Sequence, residues 1–276
     1  MFPGNVYIIN RKSETERLTH CQKQLAPFFR SDQTYVIEAS EKEDALASRY
    51  DFFSYLAFQN MDRLTNELVL PTWSAAACAL SHFRIWNMLA QMGGDDLSLV
   101  VEDDILITHK EKFRFRFHEM LHFFNRYPQY PMLCLLDGKV HPYSYSPIFT
   151  RLFPIVIPTG SNMVEVTQNT TRTHAYLLNK NACRCLVERM LPISYQIDIQ
   201  LCTFARQNRD YYLFNCPDAG TDQCSFFPSQ TQYHHLTISE LTALFPENTA
   251  LLIHSFLDVK IASSMYEYSY HYGYMY

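Results

Sequence analysis

Leu97-Ser98-Leu99-Val100-Val101-Glu102-Asp103-Asp104-Ile105-Leu106-Ile107 sets three consecutive carboxylates inside an apolar run. Charged side chains are almost never fully buried unless they are paired or bind a metal. Leu97 to Val101 is short, partly β-branched and preceded by the loop-like Gly93-Gly94-Asp95-Asp96, so it reads as a buried strand. The acids then fall at the carboxyl end of that strand, where open α/β sheets place their ligand crevice. Alternation along an extended backbone predicts Glu102 and Asp104 on one face and Asp103 on the other. Two carboxylates on one face suit a hard divalent cation such as Mg²⁺ or Mn²⁺, and such a cation neutralises a diphosphate. An acidic triplet that merely ends a strand in solvent is the plainer reading. Against it, Ile105-Leu106-Ile107 resumes the apolar pattern at once.

The rest of the composition narrows the classes. A chain of 276 residues that is 47% hydrophobic buries a substantial core. A net charge of −5 without a Lys/Arg block argues against nucleic acid as a partner. Only seven glycines occur, and neither GxGxxG nor GxxxxGK[ST] is among their contexts, which argues against Rossmann-type dinucleotide binding and P-loop chemistry. The eight cysteines lack paired CxxC spacing and sit mostly in apolar segments, as reduced thiols of a cytosol-like compartment do. The first strand begins almost at the N-terminus and no run reaches membrane-spanning length, which predicts a soluble cytoplasmic protein with at most peripheral contact to a membrane's cytoplasmic face.

Outward from the acidic strand, Val6 to Asn10 reads as a first buried strand. Ser13 and Glu16 fit a capping box that opens a helix carrying Leu18, Cys21 and Leu25. Arg11 and Arg17 would stand near the carboxyl end of strand one, either meeting a phosphate or serving as surface charges. Thr34 to Ser40 reads as strand two, giving a β-α-β start and a parallel sheet. After an irregular stretch over 41–72, Trp73 to Met92 is the longest helical pattern, with Ser74 as its expected N-cap. Ser81 and His82 lie on it, one turn before Trp86. A helix over Lys110 to Tyr127 carries the apolar stripe Phe113, Phe117, Leu121 and Phe124, and Met132 to Leu136 is a further strand ending at Asp137-Gly138. Residues 139–170, rich in proline and aromatics, suit a long active-site loop.

A strand over His174 to Leu178 then leads into a helix stopped by Pro192. Ile197-Asp198-Ile199 opens another helix, where Asp198 is either a functional acid or a first-turn acid favoured by the helix dipole. Asp210 to Asn215 is the last expected strand, and Ile238 to Phe245 a short helix. The tail, residues 266–276, alternates tyrosine with other residues, either a strand with one tyrosine face or a low-complexity segment. The division expected is one domain over 1–265 followed by that tail.

In this order the pattern resembles glycosyltransferase family 25, which includes lipooligosaccharide galactosyltransferases and collagen galactosyltransferase relatives. The matching blocks are Val6-Tyr7-Ile8-Ile9-Asn10 with Arg17, Cys78-Ala79-Leu80-Ser81-His82 with Trp86, Val100-Val101-Glu102-Asp103-Asp104, Thr173-His174-Ala175-Tyr176-Leu177-Leu178 with Ala182, and Ile197-Asp198. The resemblance implies an α/β, GT-A-like (Rossmann-like) nucleotide-sugar fold with a mostly parallel central sheet. It also implies a transferase that moves a hexose, galactose foremost, from a UDP-sugar to a glycan or glycoconjugate hydroxyl with inversion. In that mapping Glu102 and Asp104 hold Mn²⁺ or Mg²⁺ as a DxD-type site, with Asp103 beside the sugar or ribose. Asn10, Arg11, Arg17, Ala39, Ser81 and His82 border the nucleotide pocket. An inverting transferase needs a base for the acceptor hydroxyl; Asp198 is the candidate and Asp137 its rival. One departure stands out: family members usually carry Gly-Glu-x-Gly before the cysteine, where this chain has Ser74-Ala75-Ala76-Ala77.

Two other classes fit the same residues. A metal-dependent phosphoesterase would use the acids with further ligands such as His234, His235 and His254. A non-catalytic glycosyltransferase-like module would bind a glycan or partner through the tyrosine tail.

Overall fold

Alternate residues of the central strands go to opposite faces of one sheet, and that division organises the computed structural model, which describes residues 1–54, 57, 70, 72–93, 97–140, 155, 157, 161–166 and 169–224. Seven strands form the sheet in the order β2-β1-β3-β9-β5-β10-β7. They are β1 (Asn5–Asn10), β2 (Thr34–Glu38), β3 (Ser98–Glu102), β5 (Met132–Leu136), β7 (Val164–Glu165), β9 (Ala175–Leu178) and β10 (Tyr212–Cys216). Two short antiparallel pairs flank it: β4 (Ile105–Ile107) with β11 (Thr221–Gln223), and β6 (Lys139–Val140) with β8 (Thr170–Thr171).

Helices cover both faces, as a parallel sheet with apolar runs such as Met132–Leu136 requires. On one side Tyr7, Ile9, Val100, Leu135 and Tyr176 pack against α4 (Trp73–Gln91), α6 (Lys180–Arg189) and α7 (Ile197–Gln207). On the other, Val6, Ile8, Leu99, Val101 and Cys134 pack against α1 (Thr15–Leu25) and α5 (Lys110–Arg126). The stripe of Phe113, Phe117, Leu121 and Phe124 is buried in that second layer. Two short helices, α2 (Lys42–Ala47) and α3 (Arg49–Phe52), follow β2 within the irregular stretch.

β1 pairs in parallel with both β2 and β3, with Ile9 opposite Glu102 and Asn10 opposite Glu38. The connection from β1 to β2 runs through α1 on one face and that from β2 to β3 through α4 on the other, and a crevice opens at the carboxyl ends of these strands. Five of the seven strands run the same way; β9 and β7 are reversed. The reversal of β9 between β3 and β5 positions the site, because it brings the amino end of β9 beside the carboxyl end of β3.

Three local expectations are corrected. The Ser13–Glu16 capping box does not form: α1 starts at Thr15 behind Glu14, which makes no side-chain cap. Thr72, not Ser74, caps α4, its hydroxyl accepting from Ala75 N at 3.1 Å. The acidic stretch is not one extended strand, since β3 ends at Glu102 and the backbone turns through Asp103-Asp104 before β4. Alternation therefore does not govern these two acids. The expected helix over 238–245 and the tail over 266–276 lie outside the described residues.

Candidate active site at the carboxyl ends of β1, β2 and β3

The crevice holds a cavity of about 280 Å³ lined by the ends of three strands, the first residues of α2 and the amino half of α4. Arg11, Arg17, Ala39, Ser81, His82, Glu102, Asp103 and Asp104 all line it, so it gathers most of the residues singled out from the sequence. Asn10 is buried beside it, its Nδ2 donating to Arg11 O at 2.7 Å. Asp137 and Asp198 are not among the lining residues.

The acids divide by partner. Arg17 reaches from α1 and donates to Asp103 Oδ1 at 2.6 Å; its NH2 group also lies 3.2 Å from Asp104 Oδ2. The turn therefore gives Asp103 and Asp104 a shared cation, and Arg17 is 9% exposed. Glu102, still on the strand, faces the opposite group: Thr173 Oγ1 donates to its Oε1 at 3.1 Å, and His82 Nε2 stands 3.5 Å from the same oxygen. Among the described residues, Asp104 Oδ1 is buried without a hydrogen-bond partner.

Burial and mutual repulsion set the charges. Burial, then the neighbouring Glu102 charge, push the Asp104 carboxyl up to about 7 against the pull of Arg17. Burial raises Asp103 as well, and Arg17 opposes it. For Glu102 burial is again the largest influence, but its neighbours, the His82 contact first and then His174 and Thr173, outweigh it and hold the carboxyl below its ordinary value. Arg11 is engaged at the rim by Glu41 at 2.6 Å, with both side chains 40% exposed. Ser81 joins α4 to the segment after β2, accepting from Ser40 N and donating to Ala77 O, both at 2.8 Å. Ala39 N donates to Asn10 O at 2.9 Å, which fixes that segment against β1.

Glu102 and Asp104, the pair expected to hold a hard cation, offer oxygens alone. Cys78 Sγ, His82 Nε2 and a Glu102 oxygen lie within 4.8 Å of one another, a mixed S, N and O set nearer to the preference of zinc. Burial, then the Glu102 charge, push the Cys78 thiol well up, away from the thiolate that ligation needs.

The two base candidates differ in setting. Asp137 accepts from Ala219 N, Thr221 N and Thr221 Oγ1 at 2.7–2.9 Å, and its own backbone is left-handed at φ 52°. It anchors the 218–223 loop. Asp198, in the first turn of α7, accepts from Arg172 N at 3.1 Å and Ile199 N at 2.7 Å, and burial pushes its carboxyl up against those two N–H groups. Arg172 takes φ 80° to present that N–H, while its guanidinium holds Asp222 at 2.5 Å. Strained backbone of this kind persists only where its surroundings over-determine it.

Thr173, Glu41 and Gln223 belong to the site and were not singled out from the sequence. Thr173 stood in a matching block, but only the reversal of β9 reveals that it meets Glu102. His234, His235 and His254 lie outside the described residues.

No curated protein matches the chain. A family model described as Glycosyltransferase family 25 (LPS biosynthesis protein) matches residues 4–201, which takes in β1, the acidic turn, His82, Thr173 and Asp198. With that match over more than half its length, and a three-layer α/β fold that sets an acidic crevice at the ends of its parallel strands, the chain belongs to glycosyltransferase family 25.

Proposed function

We propose that this glycosyltransferase moves a hexose, galactose foremost, from a UDP-sugar to a hydroxyl of a glycan or glycoconjugate, inverting the anomeric carbon and using Mn²⁺ or Mg²⁺ held by Glu102 and Asp104. The observation that carries the reading is the meeting of three carboxylates in one cavity at the carboxyl ends of parallel strands, in a family 25 chain. The residues fit a hard cation: among the described residues Asp104 Oδ1 is a buried oxygen without a partner, and Glu102 meets Thr173 and His82 through Oε1. When bound, such a cation stabilises the departing diphosphate.

The chain's own residues do the rest. Arg17 balances Asp103 and part of Asp104, which lowers the repulsion an anionic donor would meet. Ser81 and Ala39 hold the β2 end against α4 and β1, shaping the nucleotide side of the cavity, with Asn10, Arg11 and Asp103 at its border. Asp198 takes the proton of the acceptor hydroxyl, a role suited to a carboxyl raised by burial. Asp137 is the weaker candidate because its oxygens are occupied by three donors of one loop. The reading places the reaction in the cytoplasm, with the acceptor presented at a membrane face; no helix among the described residues is long and apolar enough to cross one.

A thermal-shift screen of nucleotide sugars with and without Mn²⁺ tests this. A UDP-hexose at 100 times its Kd adds roughly 2.7 kcal/mol of stability, and the reading expects that gain only with the metal. A gain that is equal in EDTA, or none from any UDP-sugar, contradicts it.

A further inference from the structure

Four side chains, from three blocks far apart in sequence, meet in one line that ends in the cavity. Trp86 Nε1 donates to the Tyr176 hydroxyl oxygen at 3.0 Å. The same hydroxyl lies 2.8 Å from His82 Nδ1, and His82 Nε2 faces Glu102 Oε1 at 3.5 Å. Trp86, Tyr176 and His82 are each 0% exposed.

The order of donors in this line follows from what each group can do. An indole N–H only donates, so the phenol oxygen accepts there. The phenol's own proton then needs an acceptor, and His82 Nδ1 is the only other hydrogen-bond partner of Tyr176 among the described residues. A ring nitrogen that accepts carries no proton, so in the neutral imidazole the proton sits on Nε2. His82 lines the cavity, and its Nε2 is buried with no formed hydrogen bond among the described residues, its 3.5 Å approach to Glu102 being long for one.

We propose that the directed chain Trp86→Tyr176→His82 locks the Nε2–H tautomer and makes His82 a positioning residue for Glu102. His82 and Thr173 then both aim donors at Oε1, which sets the carboxylate's rotation and leaves Oε2 for the ligand in the cavity. In this state His82 is neither a metal ligand nor a base, because both roles need a lone pair on Nε2. The Cys78, His82 and Glu102 cluster is thus not a zinc centre: ligation through Nε2 would move the ring proton to Nδ1 and leave the buried Tyr176 proton without an acceptor. The inference gives Trp86 and Tyr176, which do not line the cavity, a part in setting one of its acids. Where it concerns the use of Glu102 it rests on the proposed transfer reaction; the tautomer itself does not.

The direct test is a two-bond ¹H–¹⁵N correlation spectrum of the full chain labelled with ¹⁵N-histidine, with His82 assigned by its loss in His82→Gln. Expected is a protonated Nε2 and a bare, hydrogen-bonded Nδ1 that stay unchanged on adding Zn²⁺, with a mixture of tautomers in Tyr176→Phe. A proton on Nδ1 in the unaltered protein, or Zn²⁺ shifting Nε2 as a metal-bound nitrogen, overturns the proposal. A second arm measures Mn²⁺-dependent UDP binding. His82→Gln retains an N–H donor and is expected to hold affinity, whereas His82→Leu loses on the order of tenfold or more; equal losses in both contradict a positioning role. Absence of UDP binding by the unaltered protein would count against the proposed function, while the tautomer measurement would still decide this inference.

Discussion

Arg17 is 9% exposed and meets Asp103, 8% exposed, at 2.6 Å, so the two charges share a site that neither can occupy alone. Replacing Arg17 by Met removes the cation paired with Asp103 and Asp104, and the expected loss is about 3–5 kcal/mol in urea unfolding. A loss below about 1 kcal/mol, the scale of a surface pair, would contradict this placement. The sequence left Arg17 open between a phosphate ligand and a surface charge, because its partner lies 86 positions away and no local pattern reports such a pair. Asp103 was misplaced for a different reason: alternation holds only while the backbone stays extended, and it turns right after Glu102. His174 offers a second test at this scale. Burial lowers its pKa from 6.5 to about 4, so the ring is neutral in the fold, Nε2 meeting Thr221 Oγ1 at 3.2 Å. A depressed folded value means the contribution is complete above pH 6.5 and is lost as pH falls through 4, because the unfolded chain takes up the proton first. The slope amounts to about 3 kcal/mol over that window. Urea midpoints measured from pH 7 to 4 without added metal should fall steeply in the unaltered protein and less in His174→Gln; parallel curves would contradict the assignment.

Among the elements, β9 and the 218–223 loop do most to build the site, and they were the least legible. The apolar run of β9 was readable as a strand, but its direction depends on the path of residues 139–170, which carries no periodicity. Only the antiparallel register, Val101 opposite Ala175, brings Thr173 and His174 to Glu102. The loop looked merely polar, yet Thr221 to Gln223 pair with β4 and supply Gln223 to the cavity wall. Gly220 makes that possible. It sits at φ 82°, its carbonyl accepts from Thr108 N at 2.9 Å, and a Cβ there would stand 2.9 Å from His109 O. Gly220→Ala is expected to lose at least 1–2 kcal/mol, roughly the cost of a left-handed residue, and to weaken nucleotide binding by moving Gln223. A calorimetric scan with unchanged stability would show that the loop tolerates the side chain. The helices were easier to read because core stripes such as Phe113 to Phe124 repeat every turn. Their caps were not, since Thr72 rather than Ser74 was decided by which hydroxyl reaches Ala75 N.

For the molecule as a whole, the family match ends at residue 201, but the sheet does not. β10, over Tyr212–Cys216, pairs with β5 and buries Tyr212 and Phe214 against α5's side of the core. A chain cut after residue 201 is therefore expected to lack a cooperative unfolding transition; cooperative melting of that chain would show β10 to be dispensable. The fold class was legible because buried strands alternating with amphipathic helices leave few arrangements. The central claim concerns the acids at the ends of those strands, and calorimetric titration of UDP into the protein and its Asp104→Asn variant, with Mn²⁺ and then with EDTA, tests it most directly. Mn²⁺-dependent binding that falls roughly tenfold or more in the variant, along with abolished sugar transfer, is the result predicted; equal UDP affinity and normal turnover in Asp104→Asn would contradict it.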